Sequence, residues 1–188
     1  MKTKFYIGLL FVLGFMETAI TFIFPVDYQY RAVSFVPHLC LTALFLIVFK
    51  RNWLDRILIG FLFGILYDAL FQYGFSFHIL IYPLLSVLSG IFSDYMDQDN
   101  RVLLFNILIL MFLYDCIPFF IYKFLGKLSV SFTTWFIYFE LSTLLIHIAL
   151  IAVLIYVFNV FDRYEAIQRI RTQRLEKKKY RNLRLSRK

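Results

Sequence analysis

Apolar residues in this chain gather into six blocks, about 5–24, 33–49, 57–73, 77–92, 102–122 and 134–161. Charged, proline- or glycine-bearing stretches separate them. A helix needs ~20 mostly apolar residues to cross a bilayer. The pattern therefore predicts an all-α, polytopic membrane protein of six transmembrane helices, with residues 162–188 as a basic tail. Pro25 ends the first block, because proline cannot continue a helix. Pro37 falls in the first turn expected for the second block, where a missing N–H costs little. Pro83 is expected to kink the fourth. Only Gln72–Ser76 separate the third and fourth blocks, so these two should pack as an antiparallel hairpin. The sixth block exceeds a ~30 Å hydrocarbon core and should tilt or project.

Composition narrows the class. The 188 residues are 61% hydrophobic, against about 45–50% in soluble domains. The net charge of +8 lies wholly in the tail, which holds eleven Lys/Arg and three Asp/Glu. With six spans and an inner N-terminus, seventeen of the twenty Lys/Arg fall inside. Arg31, Lys123 and Lys127 fall outside. Lysine and arginine favour the cytoplasmic side, so both termini are expected in the cytoplasm. The N-terminal apolar run is too long for a signal peptide and is read as a retained first span. The tail cations Arg169, Arg171, Arg174, Lys177, Lys178 and Lys179 suit anionic lipid or an acidic partner surface. No fold for nucleic acid accompanies them. Cys40 and Cys116 lie inside apolar blocks and read as packing residues.

Within the third block, Gly60, Gly64, Asp68 and Gln72 recur at four-residue steps and so share a helix face. Glycines so spaced let another helix backbone approach closely in lipid. A carboxyl at membrane depth faces protein or a hydrated cavity. The stripe is therefore expected to be a helix-packing or partner interface. Glu17, Asp115, Glu140 and His147 are the other polar groups placed inside spans. Together with Asp68 they either join helices or line a hydrated pocket open to the outside. His147 reads as a core histidine with its hydrogen bonds satisfied. His38 and His78 sit near block ends and read as interfacial. No metal-ligand spacing, phosphate loop or nucleophile set appears, so no cofactor, metal or enzymatic activity is expected.

Pro37, then Gly60-x-x-x-Gly64-Ile65-Leu66-x-Asp68, then Gly74 before the next span resembles the MreD family of rod shape-determining membrane proteins. Length, span count and the basic tail agree. The resemblance implies a non-enzymatic scaffold of the bacterial cell-elongation machinery. Such a scaffold works with MreC, the actin-like MreB, RodA and a class B penicillin-binding protein in lateral peptidoglycan synthesis. It also implies a fold like the substrate-binding subunits of energy-coupling-factor vitamin transporters. Those subunits are the main rival. They carry small residues at four-residue steps in span 1, whereas Gly8 and Gly14 here stand six apart. An intramembrane enzyme using Asp68 and Asp115 is the weaker alternative.

Overall fold

A computed structural model describes residues 2–49, 51–71, 77–95 and 99–185. All regular structure among the described residues is helical: α1 Lys2–Ile23, α2 Leu39–Val48, α3 Trp53–Phe71, α4 His78–Tyr95 and α5 Asn100–Phe124. A further helix runs unbroken through α6 Phe132–Trp135, a π-helical turn Phe136–Glu140 and α7 Leu141–Leu185. Two helices are long and apolar enough to cross a membrane, Asn100–Phe124 and Phe132–Lys177. Gly8–Ile23, Leu39–Val48 and His78–Ile91 are shorter apolar stretches. The chain divides into two compact units, Met1–Ala152 and Val153–Lys188.

The second block departs most from expectation. Only Leu39–Val48 is helical, and residues 33–38 carry no helix. Pro37 thus precedes α2 instead of lying in its first turn. The reason is visible in the hydrogen bonds. The Ser34 N–H donates to the Tyr138 carbonyl at 2.9 Å, the Val36 N–H to Thr143 Oγ1 at 3.3 Å and the His38 N–H to His147 Nε2 at 3.0 Å. Every second residue turns its N–H toward one neighbour, the two-residue period of an extended chain. Proline at 37 offers no N–H and holds the residue before it out of the α region. Buried backbone donors need partners, and here the sixth apolar block supplies them.

α3 and α4 make the most extensive helix pairing, as the short link between them predicts. An ideal Cβ on Gly60 would meet Ser86 Oγ at 2.7 Å and Pro83 Cα at 2.8 Å. One on Gly64 would meet the His78 carbonyl oxygen at 2.5 Å and Ile79 Cα at 2.8 Å. The glycine stripe therefore lies against α4 of the same chain. Gln72 and Gly74 lie outside the described residues. The small residues of α4 serve several neighbours: Ser86 faces Gly60, and the Ser89 carbonyl accepts from Asn106 Nδ2 of α5 at 3.4 Å.

Arg56, placed in a loop by the block pattern, belongs to the first turn of α3 and is buried. Its Nε donates to the Val48 carbonyl and its Nη2 to the Phe49 carbonyl, both at 3.3 Å. A cation there satisfies carbonyls that the end of α2 leaves open. Gly90 makes room for it, since a Cβ at that position would overlap the guanidinium. Arg56→Leu is expected to lose about 1–3 kcal/mol, because buried carbonyls lose their donors. Arg56→Lys should recover only part, lacking the planar fork. Thermal unfolding of the purified variants in detergent checks both.

An apolar core packs Cys116, Phe119, Trp135 and Phe139 together, with Phe119 stacked on Trp135 at 4.6 Å. Ser131 starts this helix by accepting the Thr134 N–H on its Oγ at 3.1 Å. Cys40 and Cys116 are both buried and free.

The loop after α1 is organised by Asp27. Its Oδ1 accepts the Gln29 N–H at 2.9 Å, and its Oδ2 accepts those of Arg31 and Ala32 at 2.8 Å each. The N–H groups of Ala32, Gln29 and Arg31 hold the carboxyl below its ordinary value of 3.8, since they favour the charged form. A depressed carboxyl stabilises the fold fully above its ordinary value and loses that contribution as pH falls through the lowered one. Asp27→Ala should therefore speed amide exchange at Arg31 and Ala32 at neutral pH. It should also abolish the acid titration of their amide shifts, followed by NMR. Within the loop Tyr30 has φ 55°, rare for a bulky residue. It is held by its N–H on the Asp27 carbonyl at 3.1 Å and by its ring edge on Phe139.

The second unit, Val153–Lys188, is helical through Leu185. Arg169, Arg171, Arg174 and Lys177 are exposed, and Arg169 Nη2 pairs with Glu165 Oε1 at 2.9 Å. The side chains of Lys178 and Lys179 lie outside the description.

Candidate functional site: a polar cluster around a cavity

The four span acids and three histidines meet in the first unit, although the sequence separates them by up to 130 positions. Two of the acids cap other helices. Glu17 of α1 reaches the start of α2, where its Oε2 accepts the Cys40 N–H at 3.1 Å. Its Oε1 accepts the Tyr67 hydroxyl at 2.8 Å. Asp68 of α3 reaches the start of α4, where its Oδ2 accepts the Ile79 N–H at 3.1 Å. The first N–H groups of a helix have no partner within it and carry partial positive charge. Away from water, a carboxylate from a neighbouring helix meets both needs at once.

The histidines, read from sequence as interfacial at positions 38 and 78, are buried instead. His78 Nδ1 lies 2.6 Å from Asp68 Oδ1, and its Nε2 lies 2.8 Å from the Tyr114 hydroxyl. With Asp68 ionised, Nδ1 donates to it and Nε2 accepts from Tyr114. His38 Nε2 stands 3.0 Å from each oxygen of Asp115. His147 Nδ1 faces the Thr143 carbonyl at 2.6 Å, while its Nε2 faces the His38 N–H. A carbonyl can only accept and an N–H can only donate, so this ring is neutral with hydrogen on Nδ1. The rings of His38 and His147 stack at 5.7 Å, and Tyr114 meets His38 edge-on at 5.1 Å.

These groups border a cavity of about 600 Å³ whose walls include Glu17, His38, Tyr67, His78, Tyr114 and Asp115. That volume falls within the range of small-molecule sites. A second cavity, about 370 Å³, is walled by Tyr30, Phe119, Trp135, Phe139 and Lys127. Asp115 and Tyr28 belong to both. Glu140, fully buried at the end of the π turn, interacts electrostatically with Asp115. The two carboxyls are also joined by a side-chain hydrogen bond.

The sequence predicted polar groups at Glu17, Asp68, Asp115, Glu140 and His147, and the structure brings all five to this cluster or its edge. Pro37 is buried just before α2, beside the cluster residue His38. Gly60 and Gly64 lie on the α4 side of α3. Sequence reasoning missed His38, His78, Tyr67 and Tyr114. The available signal was histidine itself: two histidines flanking apolar blocks that also hold unpaired acids. Among the described residues no group of three or more His, Cys, Asp or Glu is arranged to hold a metal ion. Compared with protein-family models, curated proteins and solved structures, the chain finds no match.

Proposed function

We propose that this protein is a non-enzymatic integral membrane scaffold of the MreD type, acting in bacterial cell elongation and binding MreC. The observation that carries the reading is the double use of the Gly60–Asp68 stripe. The two glycines admit the α4 backbone, and the acid one turn further on caps that same helix. This gives the residues of the resemblance a joint architectural task and no chemistry. In this reading the chain crosses the membrane six times, both termini lie in the cytoplasm, and the arrangement is that of energy-coupling-factor binding subunits. α2 rises only ~15 Å, too little for a ~30 Å core. Six extended residues add up to ~20 Å, so residues 33–48 are long enough together. The tail holds anionic lipid or an acidic surface of MreB, RodA or a class B penicillin-binding protein.

Gentle-detergent purification from the native host should recover an MreC-like chain, and depletion should round or widen the cells. Normal shape and wall growth after depletion would overturn the proposal. The 600 Å³ cavity favours a second reading, a transporter binding subunit. Co-purifying ATPase subunits in place of MreC would select it.

A further inference from the structure

Within the second unit the helix continues unbroken from Val153 to Leu185, and no Pro or Gly falls in that stretch. Sharp helix bends almost always need one of those residues, a π turn or an inserted group. Residues 153–161 close the sixth apolar block, so residues 162–185 run on along the axis of its last turns. At ~1.5 Å per residue they reach ~36 Å beyond it. The headgroup layer adds only ~5–8 Å on each side of the hydrocarbon. Even at the ~20° tilt common among spanning helices, most of this length stands clear of lipid.

The sides of this helix differ in chemistry. Tyr164, Ile167, Arg171 and Leu175 recur at steps of three or four residues, and so do Arg163, Ile167, Ile170 and Arg174. The two rows adjoin on one face. Its four apolar side chains are each half exposed or more, and its three arginines are exposed too. The acids of the tail, Asp162, Glu165 and Glu176, all fall on the opposite face, where Arg169 pairs with Glu165 at 2.9 Å. A basic amphipathic helix suits a membrane surface or a partner helix, and the reach of this one favours the partner. A second copy is a poor occupant. Two copies rooted in one membrane run parallel, so each arginine of the face would meet its own counterpart with no acid there to answer it. A helix with an apolar stripe between rows of Asp or Glu answers both features at once. We propose that this face of the tail docks an acidic amphipathic helix of another protein. The proposal rests on the reading of the chain as a membrane scaffold and deepens it, giving the tail a protein helix in place of lipid. MreC recovery and the depletion phenotype do not depend on peptide binding, so the two can fail separately.

The test uses the full chain in phosphatidylcholine nanodiscs. It is titrated into a labelled four-heptad peptide with Leu at a and d and Glu at e and g, followed by fluorescence anisotropy. The glutamates keep the peptide from pairing with itself. Binding should be saturable. A scrambled peptide of the same composition, and one with Lys in place of Glu, should bind at least about tenfold more weakly. Ile167→Gln with Ile170→Gln keeps helix propensity and should weaken the acidic peptide about tenfold or more. Arg171→Glu should do the same, whereas Arg169→Glu makes the same charge change on the opposite face and should leave binding unchanged. Arg171→Glu with Arg174→Glu should reverse the preference and admit the lysine peptide. Cys40 and Cys116 are buried, so a bimane fluorophore on Ile167→Cys reports on this face alone. Its emission should shift to the blue on adding the acidic peptide and stay unchanged when phosphatidylglycerol replaces part of the phosphatidylcholine. A blue shift from the anionic lipid alone would assign the face to the membrane surface, and a dimer that Ile167→Gln dissociates would assign it to a second copy. Either result would overturn the proposal, as would no saturable binding, equal binding of the scrambled peptide, or equal losses from Arg169→Glu and Arg171→Glu.

Discussion

Gly64→Ala is expected to break the α3–α4 pairing. The new methyl carbon would sit 2.5 Å from the His78 carbonyl oxygen and 2.8 Å from Ile79 Cα. Both are backbone atoms of the first turn of α4, so no side-chain rotation relieves the clash. Separating the helices also draws Asp68 away from the Ile79 N–H and from His78. Overpacking alone typically costs about 1–3 kcal/mol. Loss of a buried cap adds about 1 kcal/mol. The variant should therefore accumulate poorly in membranes, and Gly64→Leu should not accumulate at all. Gly8 supplies the internal control. It lies within α1, and nothing stands within 4 Å of where its Cβ would be. Gly8→Ala should therefore be neutral, or stabilising by up to about 1 kcal/mol through helix propensity. Membrane accumulation and melting in detergent compare the two directly. Equal behaviour of the alanine variants would remove the close approach from the account.

His147→Leu is the other substitution with a large expected effect. It keeps an apolar side chain of similar bulk but removes an acceptor and a donor together. The His38 N–H and the Thr143 carbonyl are then left in a buried setting without their partner. Each orphaned group costs about 1–3 kcal/mol. Because His38 also carries Asp115, the disturbance should reach the cavity wall. The melting temperature should fall by several degrees. The backbone amide signal of His38 should move and lose exchange protection. His147→Gln, whose amide can both accept and donate, should restore part of the loss. His147→Lys should not, since an ammonium offers no acceptor to the His38 N–H.

Local pattern revealed much of this protein. Apolar blocks located the middle of each helix, although α2 begins six residues after its block and the last helix runs on to Leu185, well past residue 161, and the Gly60–Asp68 spacing marked the face that α4 covers. Asp68, Asp115, Glu140 and Glu17 stood out because carboxyl groups in apolar blocks are expensive. What the pattern could not carry was partnership over long separations. His38 meets Asp115 across 77 positions and His147 across 109, and no periodicity within one block encodes the other. The second block misled for a different reason. Hydrophobicity reports that a segment avoids water, not whether its backbone is coiled or extended. Residues 33–38 satisfy the first condition through Val33, Phe35, Val36 and Pro37 while remaining extended. Arg56 was misplaced because a cation at a block edge usually marks a loop, whereas this one covers the end of a helix.

The extended segment has a consequence for biogenesis. Val36 and His38 find their acceptors 107 and 109 residues downstream, in a stretch the ribosome makes far later. Until that stretch arrives, those amides must stay hydrated or be sheltered by an insertion factor. A nascent chain that has delivered its first five apolar blocks is therefore unfinished at its second, and the closing step of assembly comes only when the sixth slides into place.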